Sequence, residues 1–323
     1  MKVLWLTNDR TNRVHDFFIP LETELRKHPD VYNVVAIRRP LPCLEGEWCR
    51  RQVVMMQGCE QIVDPDFANT FDIIVTDAMY SYLSEDWGAI TTPRAVMWGD
   101  NHGSAVKDYI ERAWLADFNI FLPLYWCSLQ QHLPWLVDGS RQNVRLHWLP
   151  YWVNDKIFHD YEEPKRFHVL MTGVVHKSVY PLRWKADDEL KHRAWYHRVE
   201  RPPEHMQREG YWPVGVDYAR LLNSAHVCIT DTSKHKYPLG KIFEIPGSRS
   251  ALACDWNSEL QMLGFEPNEN FFPLSTSDSI AHQIARFKNI DAVTQRGYDF
   301  IHQRHSAQQR ARDLYDILAR EIT

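Results

Sequence analysis

Four stretches of this 323-residue chain combine chemically useful side chains with the glycines and prolines that would expose them. Met171–Arg183 (MTGVVHKSVYPLR) ends an apolar run at Gly173, followed by Lys177, Tyr180-Pro181 and Arg183. A glycine lets a ligand approach the backbone, and the helix start beyond it offers free N–H groups to an anion. Lys177 and Arg183 would add charge against a diphosphate. The plainer alternative is a surface loop with two solvated cations. Asp231–Gly247 (DTSKHKYPLGKIFEIPG) places Gly240 and Lys241 just ahead of Glu244, which lies between Phe243 and Ile245. Near a helix start, Glu244 would accept hydrogen bonds from ribose or sugar hydroxyls, and Lys241 would meet a phosphate. The alternative is a glutamate that only complements the helix dipole.

The third stretch, Asp100-Asn101-His102-Gly103, follows an apolar strand-like run. Histidine titrates near neutrality, so His102 suits a base or an orienter of an acceptor hydroxyl, with Asp100 holding the imidazole. A polar turn is the alternative. Asp77 and Asn8-Asp9 occupy equivalent strand ends with weaker claims. The fourth stretch, Arg183–Trp212, interleaves Arg183, Lys185, Lys191, Arg193, Arg198, Arg201 and Arg208 with Trp184, Trp195, Tyr196 and Tyr211. Such a mixture suits single-stranded nucleic acid or a phosphorylated acceptor. Asp187, Asp188, Glu189, Glu200 and Glu204 dilute it, and it reads better as a solvated helix face with its aromatics turned inward.

The elements that must position these groups alternate strand and helix. In the first half, Val3–Leu6, Tyr32–Ile37, Phe71–Thr76, Ala95–Trp98 and Phe118–Leu122 read as strands. His15–Arg26, Trp48–Gln57 and Ser128–Leu136 read as helices, the first from its apolar spacing. Uninterrupted apolar strands are buried on both faces, which implies parallel sheets covered by helices. Pro150–Pro164 looks like a boundary, after which the pattern restarts. Phe167–Val175, His226–Ile229 and Ala251–Cys254 are the expected strands of the second half. Val216–Ala225, Lys241–Ile245, Ser258–Leu263, Ser279–Phe287, Ala292–His302 and Gln308–Arg320 are its expected helices. Two such α/β units leave a cleft between them, and ligands in open parallel sheets lie beyond the carboxyl ends of the strands.

The bulk numbers exclude several classes. Hydrophobic residues make up 44% and charged residues 24%, ordinary for a globular protein. No apolar run approaches the roughly 20 residues of a membrane span. The opening MKVLWLTNDR has too short an apolar run for a secretion signal, so the expected location is cytoplasmic. The six cysteines, at 43, 49, 59, 127, 228 and 254, form no Cys-x-x-Cys pair and read as free thiols. A net charge of −5 gives no general pull toward nucleic acid. There is no Gly-x-Gly-x-x-Gly, Walker loop or His-Glu-x-x-His. Asp64-Pro65-Asp66 fits an Asp-x-Asp pattern in letters only, lying after an apparent helix and before a strand. No metal site is expected.

The stretch DYARLLNSAHVCITD…GKIFEIPGSRSALACDWNSELQMLGFEPNENFF resembles the C-terminal domain of GT-B glycosyltransferases. TG…HKSVYPLR, LPYWVNDKIF and the Gly-Tyr-Asp-Phe and His-Ser…Arg elements near 297–312 add to the likeness. It covers about residues 147–315 and is strongest to the CgeB-like, spore-maturation group with a glycosyltransferase family 4-like C-terminal domain. The resemblance implies an α/β GT-B fold, two Rossmann-like domains with parallel sheets facing across a cleft. Residues 1–150 would hold the acceptor, 151–305 the nucleotide-sugar donor, and 306–323 would form a closing helix packed back on the first domain. It also implies metal-independent, retaining transfer from a nucleotide sugar, a UDP-sugar among the candidates, with no further cofactor. Together with the reading of the residues, donor binding is expected of Gly173, Lys177, Tyr180, Arg183, Lys241 and Glu244; catalysis is expected of His102 and Asp100 from the residues alone. Glu244 matches the second glutamate of the family's Glu-x7-Glu element, and Lys236 stands where relatives carry the first.

The acceptor is left open among a small molecule, a polymer, a protein and a modified nucleic-acid base. The competing readings are a catalytically silent nucleotide or sugar-phosphate binding protein and an epimerase-like enzyme of the same fold.

Overall fold

The structure is a computed structural model, and it describes residues 1–9, 18–40, 64–77, 87–99, 101, 103–200 and 213–323. The expected helix at Trp48–Gln57 and Cys43, Cys49 and Cys59 lie outside these residues. The chain divides into two compact units, Met1–Pro150 with Arg310–Thr323, and Tyr151–Gln309.

In the first unit the strands are β1 (Lys2–Asp9), β2 (Asn33–Pro40), β3 (Ile73–Thr76), β4 (Arg94–Trp98), β5 (Ile120–Pro123) and β6 (Arg145–Leu146). They form one parallel sheet in the order β2-β1-β3-β4-β5-β6. Every residue of β3, β4 and β5 is buried, including Arg94 at the start of β4. That accounts for their unbroken apolar sequence. Arg94 is tolerated because its guanidinium donates to the carbonyls of Ile90, Thr92 and Ala116. Around the sheet lie α1 (Phe18–Leu25), α2 (Pro65–Ala68), α3 (Ser104–Leu115) and α4 (Leu129–His132).

Two sequence expectations change here. Asp64-Pro65-Asp66 is a helix start: the Asp64 carboxylate accepts from the Asp66 backbone N–H, and Pro65 fills the first helical position. The expected helix Ser128–Leu136 is split by Pro134 into α4 and a short 3-10 turn, Pro134–Leu136, because proline has no N–H to continue the ladder.

The second unit repeats the plan. Its strands are β7 (Phe167–Thr172), β8 (Tyr196–Val199), β9 (Ala225–Ile229), β10 (Ala251–Asp255) and β11 (Phe272–Leu274), in the parallel order β11-β10-β9-β7-β8. Its helices are α5 (Pro181–Leu190), α6 (Gly215–Asn223), α7 (Gly240–Gly247), α8 (Ser258–Leu263), α9 (Ile280–Ile284) and α10 (Ile290–Arg304). Val169, Met171, Val227, Ile229, Leu182 and Ile280 form part of one buried cluster between sheet and helices. A last helix, α11 (Ala307–Glu321), closes the chain.

The basic, aromatic stretch from Arg183 is therefore not one solvated helix face. Its first part is α5, and Tyr196–Val199 is, among the described residues, an edge strand paired only with β7. Residues 201–212 lie outside the described residues.

The strand order in both units reverses direction next to the first strand. In the second unit β7 has the earlier crossover leading to β8 on one side and the later one leading to β9 on the other. The loops after β7 and β9 therefore leave the sheet in opposite directions, opening a crevice at their carboxyl ends.

Candidate functional site

That crevice gathers most of the sequence candidates. Gly173 follows β7 directly and has φ +96, a backbone shape that a side chain makes costly. Space demands glycine as well: a Cβ there would lie 2.3 Å from Lys241 Nζ and 3.3 Å from Arg183 Nη1. Two cations thus converge on one bare stretch of backbone. Lys241, in the first turn of α7, donates from Nζ to the Thr172 carbonyl (2.6 Å) and to Thr172 Oγ1 (3.2 Å).

Arg183, in the first turn of α5, is 3% exposed and fixed on three sides. Its Nε donates to Asp231 Oδ1 (3.0 Å), its Nη1 to the Val174 carbonyl (3.0 Å), and its guanidinium lies 3.5 Å from the centre of the Tyr180 ring. Tyr180 is the residue that caps α5. Asp231 immediately follows Thr230 at the end of β9 and is buried. Burial raises its carboxyl pKa, against the opposing pull of Arg183. The Asp231–Arg183 pair thus ties the end of one strand at the switch point to the helix that follows the other.

Glu244 is on α7, one turn after Gly240. A side chain at Gly240 would meet the Tyr151 ring at 3.1 Å and Glu244 Oε1 at 3.2 Å. Tyr151 in turn stacks on Phe243. Among the described residues no group donates a hydrogen bond to the Glu244 carboxylate. The residue is half-buried, and desolvation lifts its carboxyl pKa to about 7 against the opposing charge of Lys241. A carboxylate held this way is an acceptor without donors.

Gly173, Tyr180, Arg183, Lys241 and Glu244 therefore belong to one crevice. Lys177 does not join them. It is exposed, with its ammonium 4.3 Å from the centre of the Trp184 ring on the outside of α5. His102 and Asp100 lie outside the described residues. Their neighbour Asn101 is fully buried: it accepts from Trp98 Nε1 and donates to the Tyr125 carbonyl and Ser128 Oγ. Asp77 is likewise committed to the fold, accepting from Trp5 Nε1 and Thr7 Oγ1.

Lys236 has φ +62 and lies 3.2 Å from Asp255 Oδ2 at the end of β10. Sequence reasoning passed over Thr172 and Tyr218. Their hydroxyls are 3.0 Å apart and buried beside Lys241. The available signal was a tyrosine on the apolar face of α6 and a hydroxyl closing an otherwise apolar strand.

Residues 156–316 match the family model described as "Glycosyl transferase-like". The second unit is a glycosyltransferase domain. Solved structures extend the likeness to the whole chain. HepE from Anabaena, in a complex with UDP and glucose, aligns over 99% of this chain and 99% of its own, with a TM-score of 0.60 and 11% identity. Sucrose-phosphate synthase from Thermosynechococcus elongatus aligns over 99% of both chains at a TM-score of 0.59 and 9% identity. A glycosyltransferase from Rickettsia africae ESF-5 covers 99% of this chain and 98% of its own, at 0.56 and 10%. No curated protein matches the sequence. The shared architecture is the α/β GT-B fold, and the glycosyltransferase-like family match lies in residues 156–316. Among the described residues no helix is long and apolar enough to cross a membrane.

Proposed function

We propose that this enzyme moves a sugar from a UDP-sugar to an acceptor hydroxyl, with the donor held in the second unit and the acceptor in the first. The observation that carries the reading is the convergence of Lys241 and Arg183 on the bare backbone of Gly173, one helical turn from a carboxylate without donors. A nucleoside diphosphate asks for that set: cations for the phosphates and a hydrogen-bond acceptor for the ribose hydroxyls. HepE, of like fold, is solved with UDP and glucose.

As the bond to the departing diphosphate breaks, negative charge grows on its oxygens. Fixed donors aimed there stabilise the transition state more than the ground state. Lys241, held by its Thr172 contacts, faces the phosphate oxygens, and Arg183 stays anchored on Asp231 and presents its outer edge. Glu244 accepts from the ribose. In this reading the transfer is metal-independent and retaining, and His102, oriented by Asp100, handles the acceptor hydroxyl. The acceptor is a small molecule, polymer, protein or modified nucleic-acid base. The CgeB-like group remains the proposed affiliation.

One observation favours a second reading, a silent nucleotide-sugar binder: Lys236, where relatives carry a glutamate, is ion-paired with Asp255. Slow hydrolysis of the donor without acceptor separates the two, since a silent binder releases no nucleotide.

The deciding experiment is a thermal-shift panel of nucleoside diphosphates and their sugars, with and without EDTA. A ligand at a hundred times its dissociation constant stabilises a fold by about 2.7 kcal/mol. A selective, EDTA-insensitive shift with uridine nucleotides is expected, lost in Gly173→Ala because the new Cβ displaces Lys241. No shift with any nucleotide sinks the proposal.

A further inference from the structure

We infer that Thr172 and Tyr218 form a buried hydroxyl pair that sets the position of the Lys241 ammonium, so that Tyr218 is a positioning residue for the donor's diphosphate. This rests on the donor-site reading above.

The hydrogen-bond directions carry the argument. Lys241 donates to Thr172 Oγ1 at 3.2 Å as well as to the Thr172 carbonyl at 2.6 Å. An ammonium can only donate, so the threonine oxygen is its acceptor. The single hydrogen of that hydroxyl is then available for Tyr218 Oη, 3.0 Å away. Threonine is stiff about its first side-chain torsion, and this bond selects the rotamer that turns Oγ1 toward the lysine.

Tyr218 cannot follow a moving threonine. It is 2% exposed on α6, and its ring meets Phe158 edge-on at 6.2 Å between centroids. Thr172 is 3% exposed. Two hydroxyls placed this deep must be paired, because an unmet buried hydroxyl costs more than the bond is worth. The ammonium thereby occupies the space that a side chain at residue 173 would fill. Tyr218 also feels the Glu244 carboxyl electrostatically. The run Lys241–Thr172–Tyr218 therefore joins the proposed phosphate contact to the neighbourhood of the proposed ribose contact.

The test compares UDP with uridine, which has no phosphate, by calorimetric titration of the full chain. Tyr218→Phe and Thr172→Val are each expected to weaken UDP binding about fivefold, the scale of one hydrogen bond. Both leave uridine binding unchanged, and Thr172→Ser restores UDP binding. In a Lys241→Ala background, Tyr218→Phe has no further effect. If Tyr218→Phe weakens UDP and uridine alike, or adds in full to Lys241→Ala, the pair does not act through the lysine and the inference fails.

A second measurement stands without any donor. Competitive acetylation read by mass spectrometry, with exposed Lys177 as internal reference, is expected to label Lys241 about threefold faster in Tyr218→Phe and Thr172→Val, on the same hydrogen-bond scale. Unchanged labelling overturns the inference. Faster labelling in a protein that binds no UDP keeps the hydroxyl pair and overturns the donor reading alone.

Discussion

Glu244 makes the site's clearest statement about pH. Its carboxyl ionises near 4.5 when solvated and near 7 in the fold, because enclosure disfavours the charged form and Lys241 only partly offsets this. The folded state therefore holds a proton that the unfolded chain releases. Stability from this group is complete below about pH 4.5, falls as pH rises to about 7, and is level above. Glu244→Gln removes the dependence. Its urea midpoint is expected to vary less than wild type between pH 5 and 7, and above pH 7 the variant is more stable by up to about 3 kcal/mol. Parallel profiles would mean that water reaches the carboxylate freely. At this scale Gly173, Arg183, Lys241 and Glu244 were legible because glycines and charges straight after apolar runs mark strand ends. That Lys177 lies over the Trp184 ring was not legible, because spacing does not say which way a loop side chain turns. Tyr218 stayed hidden because a buried tyrosine on a helix looks in sequence like any core aromatic.

Among elements, α10 approaches the segment before β11 more closely than side chains allow. A Cβ on Gly297 would lie 2.6 Å from the Asn270 carbonyl oxygen and 3.4 Å from Pro246 Cβ on α7. The first neighbour is backbone, so it cannot turn aside. Asn270 is itself anchored, donating to the Gly264 carbonyl and accepting from the Glu266 N–H. Gly297→Ala would ordinarily favour a helix by up to about 1 kcal/mol. Here overpacking reverses the sign, and a net loss of about 1–3 kcal/mol is expected in denaturant unfolding. A neutral or stabilising result would show that α10 can slide away from Asn270. Apart from α5, the helices of the second unit were readable in the sequence, and Ser258–Leu263 agrees residue for residue. The strand Tyr196–Val199 was not, since an edge strand needs no continuous apolar run and this one alternates aromatic, histidine, arginine and valine.

At the scale of the whole molecule, the chain's end belongs with its beginning. Arg310–Thr323 counts with Met1–Pro150, although nearly half of the sequence separates them, and only long-range packing could reveal the grouping. Tyr315 stacks on His28 at 3.6 Å and donates to Asp30 Oδ2 at 2.9 Å, while Glu321 meets Arg145 at 2.6 Å and His147 at 2.7 Å. The terminal segment therefore touches both the turn after α1 and the edge strand β6. Leu314, Ile317 and Leu318 are buried along the same helix, and burying each stabilises by about 1.5–3 kcal/mol. Its Tyr315–Asp30 contact is exposed and adds little, so the apolar face should dominate. Deleting Arg310–Thr323 is then expected to weaken the first unit by several kcal/mol while leaving the second intact. Hydrogen exchange read by mass spectrometry locates the effect. Amides of β1–β6 should exchange faster in the deletion, and those of β7–β11 should keep wild-type protection. Faster exchange throughout both sheets would show that the units unfold as one, and no change in β1–β6 would show that the terminal helix is dispensable to the unit it joins.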